Sequence, residues 1–138
     1  MTEEPTTRQR SDGTEAGTTR TLATVERFLE AFGRGDVDAV MAVMGQDCVF
    51  ESTEPPDGRC HRGRDEVRRC WQELFGTPGA HFTTEEVRAF GDRAVVRWRY
   101  SWAGAPGAEE QVGGHVRGVD LFTVRDGVVV EKLSYVKG

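Results

Sequence analysis

The chain has 138 residues, 30% of them charged, and a formal net charge of −5. That length suits one domain with a single core. The acidic balance excludes a basic nucleic-acid footprint, and no apolar run approaches the roughly 20 residues of a membrane span. The first twenty residues hold no apolar stretch of the secretory type. Cys48, Cys60 and Cys70 are odd in number and form no CxxC, so neither a disulfide framework nor a zinc site is expected. Reduced thiols and a cytoplasmic location follow as expectations. The chain lacks isoleucine and asparagine and has two lysines against sixteen arginines. The missing residues have AT-rich codons, which points to a GC-rich bacterial genome.

Residues 1–19 are rich in Thr, Glu, Arg, Gly and Ser and are read as a disordered tail, leaving 20–138 as the domain. From Arg20, Leu22, Val25, Phe28, Leu29 and Phe32 fall on one helical stripe. Gly33 and Gly35 end that helix, and Asp36 caps a second with Val37, Val40, Met41 and Met44 inward. Arg34-Gly35-Asp36 spells a cell-adhesion tripeptide but reads better as a helix stop followed by a cap. Residues 47–53 suggest a short strand, with turn-rich 54–58 behind it. A third helix follows Gly63, with Val67, Cys70, Trp71, Leu74 and Phe75 on its buried stripe and Gly76 and Pro78 ending it.

His81 to Phe90 and Arg93 to Ala103 read as a hairpin about Gly91-Asp92. A two-residue loop puts His81, Thr83, Glu85, Val87 and Ala89 on one face with Ala94, Val96, Trp98, Tyr100 and Trp102. The other face then carries Glu86 across from Arg97 and Thr84 across from Arg99. Ala103 to Gln111 reads as a flexible loop. The last third is a second hairpin, Val112 to Lys137, about Asp126-Gly127, the strongest short-range hairpin signal. A two-residue loop there sets Arg125 opposite Val128, Asp120 opposite Leu133, and Gly118 opposite Tyr135, whose ring would cover the bare glycine backbone. Asp120 is the only acidic side chain of its strand.

Three helices followed by a curved antiparallel sheet of about four main strands make an α+β fold with helices on one face. Such a sheet, bent under its helices, forms a cone that holds an apolar cavity of small-molecule size. His81 and Glu85 are the ionisable intruders on the aromatic face. Trp71, Trp98, Tyr100 and Trp102 could stack on a planar ligand. His61, His81 and His115 have no metal-ligand spacing, and no GxGxxG, P-loop or GxSxG is present, so no metal or cofactor is expected.

This element order, with GDVDAVMAVMGQDCVFES, the GRDEV helix start and GVDLFTVRDGVVVEKLSY, resembles the nuclear transport factor 2-like superfamily. It is most similar to the SnoaL-like branch, which includes polyketide cyclases. The resemblance covers about Thr21 to Val136 and implies the cone-shaped fold. It specifies function weakly, because the fold hosts isomerases, cyclases, dehydratases, epoxide hydrolases and non-catalytic binders. The ketosteroid isomerase pattern would place its base on Ser52 beside Glu51, its tyrosine on Phe28 and its oxyanion-hole acid near Val116 or Arg117; the chain departs at all three. The cyclase pattern, an aspartate base in the strand before the last turn, matches Asp120, with His115 nearby. A bulge at Gly118 would bring His115 to the face of Asp120. The epoxide hydrolase set needs Asp-Arg-Asp, of which Asp120 with Arg97 or Arg99 supplies at most two members, so that reading ranks as a lesser alternative.

The resemblance therefore implies catalytic roles for Asp120 as base, Glu51 as its acid/base partner, and Tyr100 or His115 as hydrogen-bond donor. Phe28, Phe32, Trp71, His81, Glu85 and Trp98 would contact the substrate. Trp102, Arg117, Phe122 and Tyr135 would complete its site. The expected ligand is a hydrophobic carbonyl compound, polyketide- or steroid-like, undergoing cyclisation, isomerisation or dehydration; the alternative is a non-catalytic binding or dimerisation module. A homodimer through the outer sheet face, near Val95, Arg97 and Arg99, is also expected.

Overall fold

The computed structural model describes residues 3–103 and 113–138, with side chains from residue 15 onward. Residues 104–112, which take in most of the expected Ala103–Gln111 loop and the first residue of the expected last hairpin, lie outside the described residues. The helices are α1 (Glu3–Gly33), α2 (Val37–Ala42) and α3 (Arg64–Phe75). The strands are β1 (Met44–Glu51), β2 (Cys60–Arg62), β3 (His81–Phe90), β4 (Arg93–Trp102), β5 (Gly114–Arg125) and β6 (Val128–Val136). The expected α+β fold is present, and its six-stranded sheet runs β2-β1-β6-β5-β4-β3. The sheet is not wholly antiparallel: β1 lies parallel to β6, and the short β2, absent from the sequence reading, pairs with β1. No helix among the described residues is long and apolar enough to cross a membrane.

Helix α1 begins well before Arg20, so backbone expected to be a tail is helical. Tertiary contact supports its last part. The Thr18 hydroxyl accepts from the Gly91 N–H at 2.7 Å, and the Thr21 hydroxyl donates to the Gly91 carbonyl at 2.6 Å. These bonds tie the helix to the β3–β4 turn. Its inward stripe is as the spacing predicted, with Val25 and Phe28 wholly buried. Arg34-Gly35-Asp36 is a helix stop and cap: Gly35 has φ 67°, and the Asp36 carboxylate accepts from the Ala39 N–H at 3.1 Å. Met44 is buried as expected, but as the first residue of β1 rather than on α2. The Arg64 guanidinium joins α3 to this corner by donating to the carbonyls of Met41 and Met44 at 3.0 and 2.6 Å.

Both long hairpins keep their predicted register near the turn and lose it further along. In β3–β4, Phe90 pairs with Arg93 and Glu86 with Arg97, as expected. Glu85 is then an extra residue, and Thr84 pairs with Trp98 instead of Arg99. In β5–β6, Arg125 pairs with Val128, but Val130 is extra, so Asp120 pairs with Ser134 and Gly118 with Val136. One inserted residue reverses the faces of everything beyond it, because side chains alternate with period two. Val129 and Lys132 consequently both point toward the helices. Tyr135 is exposed and does not cover Gly118. The Trp98 ring from β4 lies there instead, so close that a Cβ on Gly118 would collide with it and with the Tyr135 carbonyl.

The sheet curls strongly. Strands β1 and β3 stand four spacings apart, about 19 Å on a flat sheet. Yet Phe50 of β1 and Phe82 of β3 line one cavity of about 360 Å³. That cavity opens beside the core made by α1, α3 and the inner sheet face, where Phe28 meets Phe122 edge-on at 5.1 Å and Trp71 at 6.2 Å.

Candidate functional site

The walls of the cavity are aromatic: Phe32, Phe50, Trp71, Phe82, Trp98 and Tyr100. Phe82 stacks on Tyr100 at 4.6 Å, and Phe50 leans on Trp71 at 4.6 Å. Ser52, Glu54, Arg59 and His61 give polar character to another part of the lining. His61 stacks on Phe50 and faces Glu66, Nδ1 to Oε1 3.3 Å. Cys70 also lines the cavity, and burial pushes its thiol up from the ordinary range, which keeps it protonated near neutrality.

A buried charged cluster also lies on this surface. Asp120, Lys132 and Ser134 are 6%, 5% and 7% exposed, and all three line the cavity. The Ser134 hydroxyl donates to Asp120 Oδ1 at 2.6 Å, Lys132 Nζ lies 3.2 Å from Asp120 Oδ2, and Lys132 donates to Ser134 Oγ at 3.0 Å. The ammonium also sits 4.7, 5.3 and 5.6 Å from the ring centres of Phe50, Trp71 and Phe32. Negative ring faces attract a cation, so the rings and the carboxylate together compensate a charge that burial would otherwise make very costly. The cluster can accept a proton at Asp120, present positive charge to a developing oxyanion, and relay hydrogen bonds through Ser134.

The other expected site residues divide by face. Phe32, Trp71, Trp98 and Tyr100 line the cavity with Asp120. Phe28 and Phe122 are wholly buried in the adjoining core. His115 is exposed on the outer face: β4 and β5 pair without interruption from Trp102–Gly114 to Arg93–Thr123, so no bulge at Gly118 turns it inward. Glu51 follows inward Phe50, is absent from the cavity lining, and does not approach Asp120 as a partner. The β3 bulge puts His81 and Glu85 on the outside and brings Phe82 in. Glu85 instead accepts from Arg117 Nε at 3.1 Å, and that hydrogen bond holds its carboxyl below the usual range. Arg117 thus faces outward too, and Trp102 and Tyr135 are exposed outside the cavity. Neither Arg97 nor Arg99 reaches Asp120. Arg97 pairs with Glu86 at 3.0 Å on the outer face, so the cation beside Asp120 is a lysine, not an arginine.

Lys132, Ser134, Phe50, Phe82 and His61 were not singled out from the sequence. One signal could have raised Lys132: it is one of only two lysines, set inside the apolar run VVVEKLSY. Among the described residues no group of three His, Cys, Asp or Glu side chains is arranged to hold a metal.

An aromatic cavity under a curled sheet, with a carboxylate on the strand before the last turn, defines a nuclear transport factor 2-like pocket protein. Residues 25–132 match the SnoaL-like domain, and the chain belongs to that family. A nuclear transport factor 2-like protein of unknown function from Mesorhizobium loti is similar at 38% identity and TM-score 0.75, covering 88% of this chain and 93% of the other. A provisionally assigned polyketide cyclase from Xanthomonas campestris pv. campestris shares 19% identity at TM-score 0.70, over 88% and 93% of the two chains. An LEH-like epoxide hydrolase from M. tuberculosis shares 22% identity at TM-score 0.70, over 87% and 84%. No curated protein matches the sequence.

Proposed function

We infer that this protein is a cofactor-independent acid/base enzyme acting on a hydrophobic carbonyl compound, with Asp120 as proton acceptor. The observation that carries this reading is the buried Asp120–Lys132 pair on the wall of a cavity lined by six aromatic rings, Phe32, Phe50, Trp71, Phe82, Trp98 and Tyr100. Proton abstraction next to a carbonyl needs a base near the α-carbon and positive charge near the oxygen as the enolate forms. Asp120 supplies the first and Lys132 the second. Among the described residues, buried Trp98 Nε1 has no hydrogen-bond partner. Tyr100, on the cavity wall, offers its hydroxyl as a further donor to a carbonyl oxygen. Cyclisation, isomerisation and dehydration all begin with this step.

The test needs no knowledge of the natural substrate. Apolar aryl-alkyl ketones incubated in D2O with the protein should gain deuterium at the α-carbon faster than in buffer. Asp120→Asn, assayed below its melting midpoint, should lower that rate by about 100-fold, the scale of a lost general base. Exchange that stays at the buffer rate, or that survives the substitution, would remove Asp120 from the mechanism.

A non-catalytic binding module is the second reading. Both Asp120 oxygens are already engaged, one by Ser134 and one by Lys132, as in a structural ion pair. Ketone binding without α-exchange would favour it.

We also propose a homodimer through the outer sheet face. Half-buried Val95, Leu121 and Leu133 form a row across β4, β5 and β6 there, with Val119 beside them and the Glu86–Arg97 and Glu85–Arg117 pairs to one side. Sedimentation at micromolar concentration should give twice the chain mass; a monomer mass would overturn the proposal.

A further inference from the structure

We propose that Lys132 is a covalent nucleophile whose amine condenses with the carbonyl carbon of an apolar ketone or aldehyde in the cavity, forming an iminium ion. This deepens the reading above and rests on it. Three features of the site converge on the step. The amine lies on the wall of a cavity of about 360 Å³ that is otherwise mostly apolar, so a carbonyl compound buried there meets Nζ at close range. Lysines in such surroundings form Schiff bases with carbonyl substrates. Asp120 Oδ2, 3.2 Å from Nζ, is placed to take the proton that the ammonium must lose before it attacks. Finally, the ion pair and the Phe50, Trp71 and Phe32 rings suit the product as well as the reactant, because an iminium carries the same single positive charge as the ammonium.

The step balances. Lys132 transfers a proton to Asp120, and its lone pair forms the C–N bond as the carbonyl π pair moves to oxygen. Asp120 returns that proton to the oxygen, with Ser134 bridging, giving a carbinolamine whose nitrogen still carries two hydrogens and the positive charge. The C–O bond then breaks, water leaves with a second proton drawn from nitrogen by way of Asp120, and the C=N bond forms. Ammonium plus ketone has become iminium plus water, with Asp120 again a carboxylate. The iminium is a stronger electron sink than the ketone. Asp120 can next remove the α-proton, with the electron pair passing to nitrogen as an enamine. The Cys70 thiol on the same wall is kept protonated by burial.

The experiment is reductive trapping on the intact chain. The protein is incubated with 4-phenylbutan-2-one and sodium cyanoborohydride near neutral pH, then weighed and peptide-mapped. One adduct is expected, its mass gain equal to the ketone less one oxygen atom, and located at Lys132. Exposed Lys137 is the internal control for unselective chemistry. Labelling at Lys132 at least ten times faster than at Lys137 supports the proposal, and the double variant Asp120→Asn/Lys132→Met, in which no buried charge is orphaned, should lose the adduct. Equal labelling of the two lysines, or none at Lys132, overturns it. Absent labelling with α-deuterium exchange intact would refute the covalent step alone, leaving Asp120 as base; loss of both would refute the proposed function as well.

Discussion

Asp120→Asn should lower the thermal midpoint by roughly 10 °C, which for a domain of this size corresponds to about 3 kcal/mol. The substitution keeps the shape of the side chain and an oxygen for the Ser134 hydroxyl. What it removes is the negative charge 3.2 Å from Lys132 Nζ. The ammonium, 5% exposed as a residue, is then left in an apolar wall with the Ser134 oxygen and three ring faces as its remaining support. Cation–π attraction of about 0.5–2 kcal/mol does not replace a buried carboxylate. The double variant Asp120→Asn/Lys132→Met should recover most of the loss, since removing both charges of a buried pair is far less costly than removing one. Melting followed by circular dichroism decides the matter. A midpoint that is unchanged or raised in the single variant would mean that Asp120 does not hold Lys132. This prediction depends on the partner. For an isolated carboxylate in a dry pocket, the same substitution would raise the midpoint.

Trp71→Ala should cost about 4 kcal/mol in urea denaturation, within the usual range for truncating a buried tryptophan. Trp71 is 1% exposed and touches Phe28, Phe32 and Phe50, and its Nε1–H donates to Met44 Sδ at 3.4 Å. It joins α3 to α1 and β1, so its loss opens a void where three elements meet. It also removes one of the three rings beside Lys132. Trp71→Phe should cost about half as much, because a smaller ring leaves a smaller cavity. A loss below about 1 kcal/mol for Trp71→Ala would show that the site collapses to fill the space, and that the aromatic wall is not a rigid part of the cavity.

The aromatic character of the site was legible in the sequence, because Phe32 and Trp71 sit on helical stripes with nearest-turn partners, and Trp98 and Tyr100 alternate on one strand. Asp120 was legible as the lone acid of its strand. Lys132 and Ser134 were not. With Asp120 opposite Leu133, as an unbroken hairpin requires, Lys132 lies across from Leu121 on the other face. His81 and Glu85 were assigned inward by the same kind of count and lie outward for the same reason. The ion pair that dominates the site is therefore a product of the bulge at Val130, as the inward Phe82 is a product of the bulge at Glu85.

The sequence by itself determined the order of the three helices and of every strand but β2, both long hairpins, the helix stop and cap at Gly35-Asp36, and the buried stripes of α1 and α3. These depend on neighbours within a few residues: φ > 0 at a turn, a side-chain oxygen on a free N–H, apolar residues one helical turn apart. Only the tertiary structure decided that β1 runs parallel to β6, that Trp98 rather than Tyr135 lies over Gly118, and that Lys132 meets Asp120. The choice between an even ladder and one carrying an extra residue is made by how a curled sheet packs against its helices. The local pattern on either side of the bulge is the same in both cases, and a single-residue slip reverses every side chain beyond it.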